Sequence, residues 1–169
     1  MKALDIIAYT ALVSALVSAP FFFFSCVPYL ATKNSGPASR VASVSFLVFL
    51  LSIVVCFLAS AASVSIARYE VIDTLRAGEN TCEVLINGKP TQNSKELLTV
   101  LRSFRISPAH HSHPTHAIDV RVLYGSRRLA LRLARDSDDP KEYWVFLPKY
   151  RITSTSEIGR IKTSAFDSY

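Results

Sequence analysis

The chain has 169 residues, of which half are apolar and only 19% are charged, with a formal net charge of +6 and a mean hydropathy of +0.27. Soluble domains carry about 25% charged residues; here every Lys, Arg, Asp and Glu lies outside two stretches, Ile6 to Thr32 and Val41 to Ala67. This split excludes a simple soluble globule, a disordered chain and a collagen-like repeat, and three cysteines are too few for a disulfide-rich mini-protein.

Each apolar stretch, wound as a helix, would run roughly 40 Å at about 1.5 Å per residue. A bilayer core of about 30 Å needs about 20 apolar residues. The sequence therefore predicts a tail at 1–5, a first transmembrane helix at 6–30, a short loop at 31–40, a second transmembrane helix at 41–67, a helical stalk at 68–78 and an extramembrane domain at 79–169. Val17-Ser18-Ala19 resembles a signal-cleavage site. Against cleavage, Pro20 follows it directly and the apolar run continues through four phenylalanines to Leu30. Lys33-Asn34-Ser35-Gly36-Pro37 is the expected hairpin turn. Pro20 is expected to kink the first helix and Pro28 to end it.

Ala11, Ala15 and Ala19 recur every four residues, as do Ala59, Ser63 and Ala67. Small residues let helix backbones approach closely in lipid, so these are the candidate helix-packing residues. Neither span holds an ionisable Asp, Glu, Lys, Arg or His, which argues against a proton relay or ion path. Lys33 and Arg40 on one side against Lys2, Arg68 and Arg76 on the other place both termini in the cytoplasm, by a margin of one basic residue.

Beyond the spans, Tyr69, Ile72 and Leu75 continue as a stalk with Gly78 as its stop. Cys82 to Ile86 reads as a strand ending at the turn Asn87-Gly88. Asn93 with Glu96 three residues later has the spacing of a capping box. Leu97, Val100, Leu101 and Phe104 form the apolar stripe of the helix that follows, which should end before Pro108. Ile118, Val120 and Val122 alternate with Asp119 and Arg121; Leu129, Leu131 and Leu133 alternate with Arg128, Ala130 and Arg132. A turn at Gly125-Ser126 would pair Tyr124 with Arg127, Val122 with Leu129, Val120 with Leu131 and Ile118 with Leu133. One face of the hairpin is then apolar and the other charged. Asp136 to Pro140 is a turn: these aspartates lack the glycine and distal glutamate of a calcium loop. Tyr143 to Leu147 is a strand covered on both faces, and Ile152 to Thr163 contains a short extended segment. The fold class is thus a hairpin of two transmembrane helices plus a small α+β domain, β-α-β-β-β, with one helix on an antiparallel sheet.

Two clusters could carry chemistry. All four histidines lie in His110-His111-Ser112-His113-Pro114-Thr115-His116. Imidazole binds Zn, Cu and Ni, so His110, His111, His113 and His116 are metal candidates, although the spacing matches no standard zinc motif. The simpler expectation is a polar connection kept extended by its prolines, with weak metal binding at most. Arg121, Arg127, Arg128, Arg132 and Arg135 form the second cluster, a basic face suited to anionic lipid or an acidic protein. It lacks the interleaved aromatic residues that stack on bases, so no nucleic acid is expected. No phosphate-cradling glycine loop, nucleophile elbow or His-Glu-x-x-His motif is present. The sequence reads as a non-enzymatic integral membrane protein without a cofactor, embedded in lipid and acting by contact with a protein partner. Accessory subunit, regulator and immunity-type inhibitor all fit, and a metal-responsive protein using the histidine tract is the alternative.

Overall fold

The computed structural model describes residues 3–32, 37–77, 82–106 and 111–169. The elements are α1 (Ala3–Thr32), α2 (Pro37–Ala77), β1 (Cys82–Ile86), β2 (Lys89–Pro90), α3 (Ser94–Arg102), β3 (Pro114–Tyr124), β4 (Arg127–Asp136), β5 (Glu142–Phe146) and β6 (Gly159–Lys162). The chain divides into two units, Met1–Ser63 and Val64–Tyr169.

In the first unit, α1 continues past Pro28 to Thr32, so Pro28 does not end it. Pro37 opens α2, a position where its missing N–H costs nothing. The expected turn at 33–36 lies outside the described residues. Ser52 Oγ donates to Ser14 Oγ at 3.0 Å, which joins the two helices through a polar pair within an apolar unit. Beside it lies a cleft of about 350 Å³ lined by Ile6, Thr10, Ala11, Leu51 and Val55. Among the described residues, Ser43–Ala77 is long and apolar enough to cross a membrane, and Asp5–Phe21 is a shorter apolar stretch.

The second unit is a mixed α+β fold. Its six strands are antiparallel in the order β2-β1-β3-β4-β5-β6. The β3–β4 hairpin has the predicted register, from Tyr124 opposite Arg127 to Ile118 opposite Leu133. Any one-residue slip would carry the apolar set to the other face. Gly125 takes a positive φ of 54° at the first position of the tight turn, where a Cβ would be strained. Asn87 and Gly88 have φ of 50° and 81°. This pair closes the β1–β2 hairpin in the conformation that Asn-Gly favours.

The inner face of the sheet carries Val84, Ile86, Ile118, Val120, Val122, Leu129, Leu131, Leu133, Tyr143, Val145 and Ile161, all buried. Two helices cover it where the sequence suggested one. Leu97, Leu98 and Leu101 come from α3, and Ala67, Val71 and Leu75 come from the end of α2. Of the residues expected to form a stalk, Val71 and Leu75 are thus part of this unit's core, while Tyr69 and Ile72 are exposed. Arg102 Nε ties the two helices together by donating to the Leu75 carbonyl at 3.0 Å. Gly78, the expected stop, lies outside the described residues.

The capping box does not form. Asn93 occupies the N-cap position without a side-chain hydrogen bond. Instead Ser94 Oγ donates to the Thr91 carbonyl and accepts the Val84 N–H, fastening α3 to β1. The segment 152–163 divides into turns and then β6, whose Gly159–Lys162 pairs with Glu142–Val145. Arg105 adds a one-residue bridge to Arg160 beyond β6, and the Thr91 N–H bonds the Val84 carbonyl beside β2. Both sheet edges are therefore partly capped.

Candidate functional site: the outer face of the sheet

Strand alternation sends every second side chain away from the helices. On this outer face β3 carries Asp119 and Arg121; β4 carries Arg128, Ala130, Arg132, Ala134 and Asp136. Next to them, β5 carries Glu142, Trp144 and Phe146, and β6 carries Arg160 and Lys162. The face has an open basic end and a closed ionic end.

At the open end Arg121 lies opposite Ala130, and Arg128 and Arg132 flank Ala130 on β4. Cross-strand diagonals of about 7–8 Å place the backbone positions of these three arginines around one small residue. Arg132 Nε pairs with Asp119 Oδ1 at 3.3 Å. Among the described residues neither Arg121 nor Arg128 has an ion pair, and all three arginines are exposed. Glu83 on β1, opposite Leu123, adds a second carboxylate to this end. The other two arginines of the expected basic face point to the opposite side, because they sit at odd positions of β4. Arg127 pairs with Asp73 of α2 at 3.1 Å. Arg135 pairs with Asp167 at 3.1 Å and donates to Tyr143 Oη at 2.9 Å.

The closed end is centred on Arg160, whose side chain is only 3% exposed. Its Nη1 lies 3.0 Å from Glu142 Oε1 and 3.4 Å from Asp136 Oδ2; its Nε lies 3.0 Å from Glu157 Oε1. The guanidinium stacks on the Trp144 ring at 4.0 Å, an arrangement that suits a planar cation. Burial would lower the Arg160 pKa, but hydrogen bonds from the guanidinium to Glu157 and Glu142 outweigh it and hold the group above its ordinary value.

Asp136 Oδ2 accepts from Ser112 Oγ and Trp144 Nε1, both at 2.6 Å. Its Oδ1 accepts the N–H groups of Asp138 and Asp139. Burial would raise this carboxyl, yet these donors together hold it well below the usual carboxylate range. An acceptor so occupied, and held below the usual carboxylate range, differs from a general base, which needs a pKa near the working pH and a free lone pair. The aspartate run thus closes a turn, with Asp139 Oδ1 also accepting the Lys141 N–H.

No local pattern along the chain signals this network. Arg160, Asp136, Glu142 and Trp144 come from three strands, and only pairing of β6 with β5 brings Arg160 over Trp144. Ser112 reaches Asp136 from within the histidine tract. His111, His113 and His116 are exposed and His110 lies outside the described residues. Among the described residues no group of three or more His, Cys, Asp or Glu could hold a metal ion.

The small-residue positions separate by unit. Ala11, Ala15, Ala59 and Ser63 are buried and Ala19 is half-buried. Ala67 packs in the core of the second unit rather than in the first. Cys56 and Cys82 are free thiols, half-buried in their helix and strand. No protein-family model, curated protein or solved structure matches this chain.

Proposed function

We propose that the chain is a non-enzymatic membrane protein that acts by contact, with its α+β unit as the binding module and the outer sheet face as the contact surface. Two helices form a transmembrane hairpin in a bacterial inner membrane, with both termini cytoplasmic. The partner is a protein with an acidic surface, and accessory subunit, regulator and immunity-type inhibitor all suit such a role.

The observation that carries this reading is the open end of the outer face. The inner face is buried beneath two helices and the C-terminal Phe166, and the edges are partly capped by Arg105 and Thr91. The exposed outer end presents Arg121 and Arg128 without ion pairs among the described residues. Arginine is favoured where planar, bidentate contact with carboxylates is needed, and complementary charge steers and selects partners.

The test is photo-crosslinking in cells from a probe at position 130, in wild type and in R121E/R128E. The expected result is a specific adduct in mild-detergent extracts of wild type that is lost in the charge-reversed variant. Recovery of only the free chain, under several crosslinking conditions, would remove the contact reading.

A further inference from the structure

The apolar run of α2 ends at Ala67, inside the second unit, and Arg68 is the first charged residue after it. Arg68 Nε donates to the Ile158 carbonyl at 2.7 Å. Two residues later Glu70 receives Lys149 Nζ and the Tyr150 hydroxyl, the latter at 2.7 Å. The β5–β6 loop is therefore strapped to α2 immediately past the apolar run. At about 1.5 Å per residue, Arg68 and Glu70 lie within about 5 Å of Ala67 along the helix. The headgroup layer extends about 5–7 Å beyond the hydrocarbon on each side. The apolar run of roughly 40 Å exceeds a hydrocarbon core of about 30 Å, so a bilayer seated at the Ala67 end of the run brings this loop to the headgroups.

The surface at this end has the composition of such a boundary. Tyr69 is 74% exposed and Ile106 is 68% exposed. Ile106 belongs here because Arg105 pairs antiparallel with Arg160, which directs residue 106 toward Gly159 and Ile158. Arg105, Lys149 and Arg151 are exposed. Arg68 bonds a neutral carbonyl and so keeps its net charge. Among the described residues, two carboxylates at this end are engaged, Glu70 with Lys149 and Glu157 with Arg160. Tyrosine and basic side chains are enriched where protein meets lipid headgroups, and each basic residue near an anionic surface adds about a fivefold factor in binding.

We propose that this end of the second unit docks on the bilayer, with Ile106 and Tyr69 in the interface and Arg68, Arg105 and Arg151 on anionic lipid headgroups. The proposal rests on the reading that α2 crosses the membrane. Docking would hold the sheet at a fixed height above the lipid and leave its outer face free for a protein.

The test uses the full chain with its three cysteines replaced and a nitroxide at position 106, reconstituted in nanodiscs. Oxygen and nickel-chelate accessibilities report whether the probe sits in lipid or in water, and a second probe at position 126 is the control. With one-third phosphatidylglycerol, the probe at 106 should contact oxygen and exclude the chelate, while the probe at 126 stays in water. Pure phosphatidylcholine, or R105Q/R151Q in the anionic discs, should raise chelate contact at 106 severalfold. Trp144 fluorescence confirms that each variant is folded. A probe at 106 that is water-exposed in both lipids, in a chain that resists alkaline extraction, overturns the docking and leaves the transmembrane reading standing. Equal lipid contact in both compositions overturns the role of the anionic headgroups. Release of the chain by alkaline extraction overturns the transmembrane reading itself.

Discussion

Arg160 and Trp144 face each other across the β5–β6 ladder, with the guanidinium 4.0 Å above the indole ring. The stack seals one side of the arginine while Asp136, Glu142 and Glu157 occupy its edge. Removing the cation would leave these carboxylates close together and uncompensated. Breaking a buried pair in this way costs about 3–5 kcal/mol. R160A should therefore lower the unfolding free energy of the second unit by that order. R160K should lose less, since it keeps the charge but gives up the forked contact with Glu157. Urea titration of the full chain in detergent, followed through its single tryptophan, reads both; a loss below about 1 kcal/mol for R160A would place the ion pairs in the surface class.

The depressed Asp136 pKa has a direct consequence for acid stability. A carboxyl ionised more readily in the folded state contributes stability that is present above its unfolded value, about 3.9, and lost as pH falls through the lower folded value. Thermal unfolding should show little dependence on this group from neutral pH to about pH 5, then a steep decline under stronger acid. D136N should flatten that decline while lowering stability at neutral pH.

At the opposite extreme, the Lys149 and Tyr150 pKa values are both raised by their hydrogen bonds to Glu70. Their contribution is present below the unfolded values of about 10.4 and 10 and fades as pH rises through the higher folded values. Unfolding at strongly alkaline pH should begin by freeing the β5–β6 loop from α2. Amide exchange at Tyr150–Ser156 that accelerates before exchange in β4 is the expected result, and E70Q should remove the difference.

Gly159 is constrained by space. A Cβ there would lie 2.5 Å from the Phe104 ring and 2.7 Å from the Arg105 carbonyl oxygen. The oxygen belongs to backbone held by the Arg105–Arg160 bridge, so it cannot swing aside. Overpacking of this kind costs about 1–3 kcal/mol. G159A should be destabilised to that extent in the same urea titration, while G88A, with nothing within 4 Å of its Cβ, should show only the smaller strain of its positive φ.

Arg121 and Arg128 should behave differently from every residue above. Both are exposed and unpaired among the described residues, so R121A/R128A should change stability by no more than about 0.5 kcal/mol. The same variant should weaken any partner that binds the outer face, with a shallower salt dependence of the remaining affinity. An equal loss of stability and binding would mean that the arginines support the sheet rather than a contact.

Elements encoded by local pattern were legible in the sequence. The β3–β4 hairpin could be paired residue by residue because its two strands alternate in phase around a two-residue turn. The Asn87-Gly88 turn was readable because few other residues accept positive φ twice. The capping box at Asn93 had the right letters, but Ser94 is drawn instead to the Val84 N–H of a neighbouring strand. The five arginines looked like one cluster, but odd and even positions of β4 divide them between opposite faces, and Asp73 and Asp167 claim the odd pair.

Local pattern along the chain reveals where apolar surface lies and how often it recurs: two charge-free stretches, one amphipathic helix and one alternating hairpin. These follow from side-chain period and length, which are properties of neighbours along the chain. Packing between distant segments sets the rest: the end of α2 fills the core of the second unit, Arg160 is buried over Trp144, and the outer face keeps one open basic end. Each depends on residues far apart in the chain meeting at one place, where burial and pairing of charge outweigh local preference.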